Sequence, residues 1–363
     1  MTTFKRYFIY RTKQSILRTL IFTVLSAMVC LSAVNSSISY QYDFTKSASL
    51  ESVATILGIM CFLIPVLELS GFKNRRNLDT LYFFPIKRER MALAHYLSGL
   101  LQIFVVYTVS FVALGLTLVF KTNCFSLGYM PLYYICLTLA GAVVYSIVCF
   151  IFGEANTDAD GVLFIVLWMF VAYIVIYTVR IYVLRPLLSE SALWPFDSHA
   201  EWATLYAPIN NVTVIFQNII ESNKQGDPYN YTSSYAARYL SQAYMFAVWA
   251  ALGVAATFGF FFRFKRKSAH LAGEISSSIF GYKLLIPIYG YSLLLMYSDL
   301  DIMTIIVFAL MLTGYFFYRR SFRIKKSDII IIACGIIPMI LSAILNTTNQ
   351  MVLYLISHAA SFP

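Results

Sequence analysis

The stretch 71–90, Gly-Phe-Lys-Asn-Arg-Arg-Asn-Leu-Asp-Thr-Leu-Tyr-Phe-Phe-Pro-Ile-Lys-Arg-Glu-Arg, separates two long apolar runs at 52–70 and 94–119. Within it Arg75, Arg76, Asn77, Asp79 and Thr80 alternate with Leu78, Leu81, Tyr82 and Phe83. That spacing gives a short helix a polar side and an apolar side. Arg75 and Asp79 stand four apart, within pairing reach on a helix surface. Pro85 disfavours helix at Phe84 and closes the piece. Two readings follow. The segment is a basic loop that fixes membrane topology, or it is also a short helix at the membrane surface that docks on a partner protein.

The flanking runs set the class. Hydrophobic residues make up 60% of the 363, charged residues 12%, and the mean hydropathy is +0.72. A soluble domain carries about 25% charged residues, so the composition is that of a polytopic membrane protein. The six cysteines include no C-x-x-C pair, and most lie in apolar runs. They read as small hydrophobes rather than a disulfide framework or a zinc site. The first apolar run follows a long basic tract without a small-residue cleavage pattern, so no cleavable leader is expected.

Nine apolar segments can be marked, at about 19–36, 52–70, 94–119, 130–152, 161–184, 240–262, 282–298, 302–318 and 328–345. A helix needs roughly 20 residues to cross the hydrocarbon core. Helices are expected because a lone apolar span must satisfy its own backbone. The seventh and eighth are short and separated only by Ser298-Asp299-Leu300-Asp301, so a tight hairpin is an alternative. Pro65, Pro287 and Pro338 fall inside segments and are expected to kink them.

Charge asymmetry orients the chain. With the N-terminus cytoplasmic, the inner segments carry Lys5, Arg6, Arg11, Lys13 and Arg18, then Lys73, Arg75, Arg76, Lys87, Arg88 and Arg90. Further inner residues are Arg263, Lys265, Arg266, Lys267 and Lys283, then Arg319, Arg320, Arg323, Lys325 and Lys326. Together these are 21 of the 27 lysines and arginines. The acidic loop 153–160 also falls inside, where acidic residues weigh little. The net charge of +10 is thus membrane-orienting, with anionic lipid a further contact and no nucleic acid expected.

Outside, the sizeable loop is 185–238. Val212, Ile215, Phe216, Ile219 and Ile220 follow Pro208 at helical spacing. This predicts a short helix that rests on or re-enters the outer leaflet, or else caps the extracellular face. Four N-x-Ser/Thr sequons, at Asn35, Asn211, Asn230 and Asn346, carry no weight at this chain length.

Motifs for autonomous energy supply are missing from the sequence. There is no G-x-x-x-x-G-K-[ST] run, no G-x-S-x-G, no H-E-x-x-H, and no H-x-x-x-H among the four histidines. Leu97-Ser98-Gly99 sits in an apolar helix and reads as packing. Ion-coupled carriers use intramembrane ionisable groups. The candidates Glu68, His95 and Arg180 all lie near span ends, and Glu68 is expected to pair with a nearby Lys or Arg.

The run 72–100, FKNRRNLDTLYFFPIKRERMALAHYLSGL, resembles the permease subunits of bacterial ABC-2-type exporters. There a basic pair, Val/Leu-Asp-x-Leu/Tyr, and Leu-Pro-Ile with a basic residue open the third span. Arg75–Arg76, Leu78–Asp79, Leu81 and Pro85-Ile86-Lys87 occupy those places here, with Phe84 for the usual Leu. Phe262-Arg-Phe-Lys-Arg-Lys-Ser268 with Ala272-Gly273 is similar to the basic segment after the sixth span of a Gram-positive subgroup. Gly314-Tyr315-Phe316 with Arg319-Arg320-Ser321-Phe322-Arg323 is similar to that subgroup's segment after the eighth. Residues 185–238 match weakly.

The resemblance implies that 72–84 is a coupling helix seated in a groove of a separate ATP-binding subunit, whose closure it transmits to the spans. Arg75, Arg76 and Asp79 would make polar contacts, with Leu78, Leu81 and Tyr82 against the groove or the first spans and Pro85 closing the helix. ATP and Mg would sit on that partner, with no cofactor in this chain and no enzyme activity of its own.

The expectation is an all-α, polytopic integral membrane protein of about nine transmembrane helices in the plasma membrane, N-terminus cytoplasmic. A basic amphipathic segment 1–18 lies at the interface. A six-span core follows over 19–262, then a three-span extension over 263–363. Partners would be the ATP-binding subunit, a second permease subunit (homo- or heterodimer) and membrane lipid. The function expected is export of an amphipathic substrate: a peptide, an antibiotic or a lipid-like molecule. The alternatives are an ion-coupled secondary carrier, or a sensor or immunity protein that sequesters a toxic peptide.

Overall fold

The computed structural model describes residues 3–40, 45–74, 77, 83, 85–121, 129–179, 207–222, 244–267, 272–274, 276, 278–296 and 302–319. The described residues are helical, without strands. In chain order the helices are α1 (Thr3–Tyr40), α2 (Thr45–Leu69), α3 (Arg88–Lys121), α4 (Met130–Glu154), α5 (Asp158–Val179), α6 (Pro208–Ser222), α7 (Tyr244–Arg266), α8 (Leu284–Met296) and α9 (Ile302–Arg319). Five of them, α1–α4 and α7, are long and apolar enough to cross a membrane. That marks a multi-pass membrane protein.

Of the nine expected spans, the ninth (328–345) lies outside the described residues. The seventh contains α8, which follows directly on the helical turn Ile279–Lys283. Helix α2 continues through Pro65 and α8 through Pro287. The third helix starts at Arg88 rather than 94, because Glu89 in the first turn favours the helix N-terminus.

The basic tract and the first expected span form one element. Helix α1 runs unbroken for 38 residues. Its inward face reads Tyr7, Arg11, Ser15, Arg18, Ser26 and Cys30, while Leu17, Leu20, Val24 and Met28 are more than half exposed. A helix with its polar stripe inward and apolar stripe outward suits a lipid surround. The tract is therefore continuous with the bundle rather than a separate surface helix.

The chain divides into two compact units, Met1–Val162 with Thr204–Glu274, and Leu163–Ala203 with Ile275–Pro363. The division falls inside α5, the fifth expected span.

In the first unit α2 packs on α1, α3, α4 and α6, and α4 packs on α2, α6 and α7. Small groups allow close approach between helices, as membrane interfaces favour. Gly99 of α3 faces Tyr145 of α4 and Ile64 of α2, so any side chain there would strike the Tyr145 hydroxyl. That hydroxyl donates to Tyr96 O at 2.9 Å, and Tyr96 Oη meets Ser146 Oγ at 2.7 Å. Leu97-Ser98-Gly99 is thus packing, with Ser98 fully buried. Ser110 of α3 donates to Ser26 of α1 at 2.9 Å.

The helix expected after Pro208 is α6. Val212, Ile215 and Phe216 are buried where it packs on α2 and α4. Tyr133 Oη donates to Leu50 O at 3.1 Å and contacts Thr213 Oγ1 at 3.2 Å, and Gln217 donates to Glu51 at 3.0 Å. The sequon at Asn211 is buried in this contact.

In the second unit Trp168 donates to Phe280 O at 2.7 Å, and Tyr315 donates to Lys283 O at 2.9 Å. A π-turn at Ile279–Lys283 leads into α8, broken at Gly281, whose backbone lies against the Phe164 ring. Tyr291, Met311 and Tyr315 form the core between α8 and α9.

Candidate functional site

Both ends of the 71–90 segment are anchored. At its start the 3-10 turn Ser70–Phe72 continues α2. The Phe72 ring meets His95 edge-on at 4.7 Å and Phe264 at 4.9 Å. At its end Ile86 packs with Phe72 on a cluster of Tyr7, Met91 and Ala94. Between these anchors Asn77 is helical and exposed, and Phe83 is 91% exposed. Pro85 is exposed in the bend before α3. The other expected coupling residues, Arg75, Arg76, Leu78, Asp79, Leu81 and Tyr82, lie outside the described residues.

Just before this segment, Glu68 is fully buried and surrounded by donors. Arg11 Nε donates to Oε2 at 2.9 Å, Gln102 Nε2 donates to Oε1 at 2.7 Å, and Arg18 donates to Oε1 as well. Arg18 also donates to Gln102 Oε1 at 2.8 Å. His95 Nδ1 lies 3.0 Å from Glu68 O and 3.3 Å from Oε2, and its Nε2 lies 2.9 Å from Tyr7 Oη. A neutral imidazole satisfies all three contacts: Nδ1–H donates to Glu68 and Nε2 accepts from Tyr7. A carboxylate so buried persists only because its charge and its acceptor sites are matched. The cluster ties α1, α2 and α3 together at the root of the segment.

A second cluster holds the turn between α4 and α5. Lys267 Nζ donates to Gly153 O at 2.8 Å and Ala155 O at 2.6 Å, a cation on the end carbonyls of α4. Lys73 Nζ donates to Thr157 O at 3.3 Å and lies 3.0 Å from the centroid of the Phe152 ring. Arg88 donates to Lys267 O at 3.2 Å, Arg263 pairs with Glu154 at 3.4 Å, and Lys265 pairs with Glu89 at 2.9 Å.

Burial, aided by the charge of Lys267, pushes the Lys73 amine down to about 6 against the pull of Asp158 and Asp160. Burial pushes Lys267 down to about 8, with Glu154 opposing. Burial also raises Asp158, and Lys73 opposes it. The start of the 71–90 segment is thereby fastened to the α4–α5 turn and to the end of α7.

Comparison with protein-family models and with curated proteins gives no match.

The pairing of Glu68 is as its position near basic residues suggests. Its partners carry weaker marks in the sequence. Arg11 and Arg18 are seven apart, two helical turns on one face, but read first as topology signals. Ser98 and Gln102 have the i, i+4 spacing of one helix face, which is the signal for Gln102. Lys73 and Lys267 stand in basic runs, and nothing in their spacing singles them out.

Proposed function

We propose that the chain is the permease subunit of an exporter of the ABC-2 type, moving an amphipathic substrate and driven by a separate ATP-binding subunit. One observation carries the reading. The segment 72–87 is rooted at both ends in the packed bundle, yet presents Phe83 almost wholly to the outside. An exposed ring on a segment with anchored ends suits the transfer of a partner's closure to helices α2 and α3. Its resemblance to the coupling segment of that family supports the same role. The charge split puts this face in the cytoplasm, where ATP and Mg would be bound by the partner. The chain would pair with itself or a sibling in the plasma membrane.

Glu68 does not favour an ion-coupled carrier. Its oxygens are already occupied by Arg11, Arg18 and Gln102, which leaves little room for a transported cation.

The direct test is co-purification with a candidate ATP-binding subunit encoded nearby, with ATP turnover measured for wild type and Arg76→Glu. Loss of binding or turnover is expected. If neither changes, the docking assignment is wrong.

A further inference from the structure

The outer face of α7 ends in an arginine with apolar neighbours. Val254, Phe258 and Phe262 recur every fourth residue and are 57%, 73% and 54% exposed. Arg266 continues the series as the last residue of this membrane-crossing helix. Its guanidinium carbon sits 4.0 Å from the centroid of the Phe262 ring. The neighbouring charges are otherwise engaged: Arg263 with Glu154, Lys265 with Glu89, and Lys267 with the α4 carbonyls. Among the described residues Arg266 has no carboxylate partner. Arg90 is also exposed, one residue after the Glu89 that pairs with Lys265.

We propose that this face seats an anionic phospholipid. Arg266 holds the headgroup phosphate, and the Phe262–Phe258–Val254 stripe runs along an acyl chain. A planar guanidinium bonds phosphate oxygens through two N–H groups, and stacking on Phe262 presets its orientation. The stripe below it lies within the membrane-crossing length, where a soluble acidic protein could not follow. The net positive balance selects an anionic headgroup over a zwitterionic one. This site is separate from the docking segment and does not depend on it.

The test is native mass spectrometry of the purified full chain exposed to equal phosphatidylglycerol and phosphatidylcholine. Wild type should retain phosphatidylglycerol preferentially, and Arg266→Gln should lower that preference about fivefold. Phe262→Ala, which keeps the charge but removes the stacking ring, should lower it by a smaller factor. Lys5→Gln removes an exposed cation from α1 and should leave it unchanged. An equal fall in Lys5→Gln, or no fall in Arg266→Gln, overturns the site in favour of a diffuse field. Displacement of the lipid by inorganic phosphate overturns the lipid assignment. So does loss of the ATP-binding subunit from Arg266→Gln with its lipid preference intact.

Discussion

Arg18 of α1 and Glu68 of α2, 50 positions apart in sequence, form an ion pair inside the helix bundle. The carboxylate is the hub of the pair, because Arg11 and Gln102 hold it as well. Removing the hub leaves two guanidinium groups facing one another without a counter-charge. Removing Arg18 leaves Glu68 with two strong donors. Glu68→Gln should therefore destabilise the bundle by about 3–5 kcal/mol, and Arg18→Ala by distinctly less. The check is thermal unfolding in detergent of both single variants and the double. Equal single effects that add would show that Glu68 is not the hub.

Lys73 makes the junction pH-dependent. Its folded pKa of about 6 lies below the ordinary 10.5, so between those values the unfolded chain binds a proton that the folded chain does not. Stability must rise with pH across that window, at up to about 1.4 kcal/mol per unit, and the contribution is flat below it. Lys73→Met should be less pH-sensitive than wild type and relatively more stable near pH 6. Unfolding temperatures of the two proteins at several pH values between 6 and 10 test this, and parallel profiles would refute it.

The approach of α3 to α4 at Gly99 can be tested by non-additivity. Gly99→Ala places a methyl group against the Tyr145 hydroxyl and should cost about 1–3 kcal/mol. Tyr145→Phe loses its hydrogen bond to Tyr96 O, about 1 kcal/mol. In the double variant the clash is relieved, so the combined loss should fall short of the sum. A strictly additive pair would mean that the two helices adjust elsewhere.

The helices were largely legible because lipid demands long apolar runs, and α2, α3, α4 and α7 coincide closely with them. The helix after Pro208 was legible from its apolar spacing. The carboxylate cluster was half legible. Glu68 near a basic segment announces a pair, but Arg11 and Arg18 carry the same charge whether they orient the chain or turn inward. Only the packing of α1 on α2 and α3 decides that. The division inside α5 was not legible, since an apolar helix has no sequence mark for which neighbour its face meets. Lys73 has no mark in the sequence that sets it apart from the basic residues after it, and the backbone turn at Ser70–Phe72 precedes its burial against Phe152.

Topology has its own test. Charge asymmetry predicts that residue 87 and residue 224 lie on opposite sides of the membrane. In a chain with its native cysteines replaced, Lys87→Cys and Lys224→Cys should differ in labelling by an impermeant maleimide on intact cells. Position 224 should react and position 87 should react only after permeabilisation. Labelling of both from the same side would overturn the span count between them.

Phe83 separates docking from folding. With 91% of its surface exposed, it contributes little to the packing of its own chain, so Phe83→Ala should unfold at the temperature of wild type. In a complex with an ATP-binding subunit the same ring would be an aromatic anchor, the kind of residue whose truncation weakens an interface by tenfold or more. The expected result is a variant that is normally folded and inserted, binds the ATP-binding subunit at least about tenfold more weakly, and loses substrate-stimulated turnover. Unchanged affinity and turnover would place the docking contact elsewhere on the basic face, and the projecting ring would then be a lipid-surface contact.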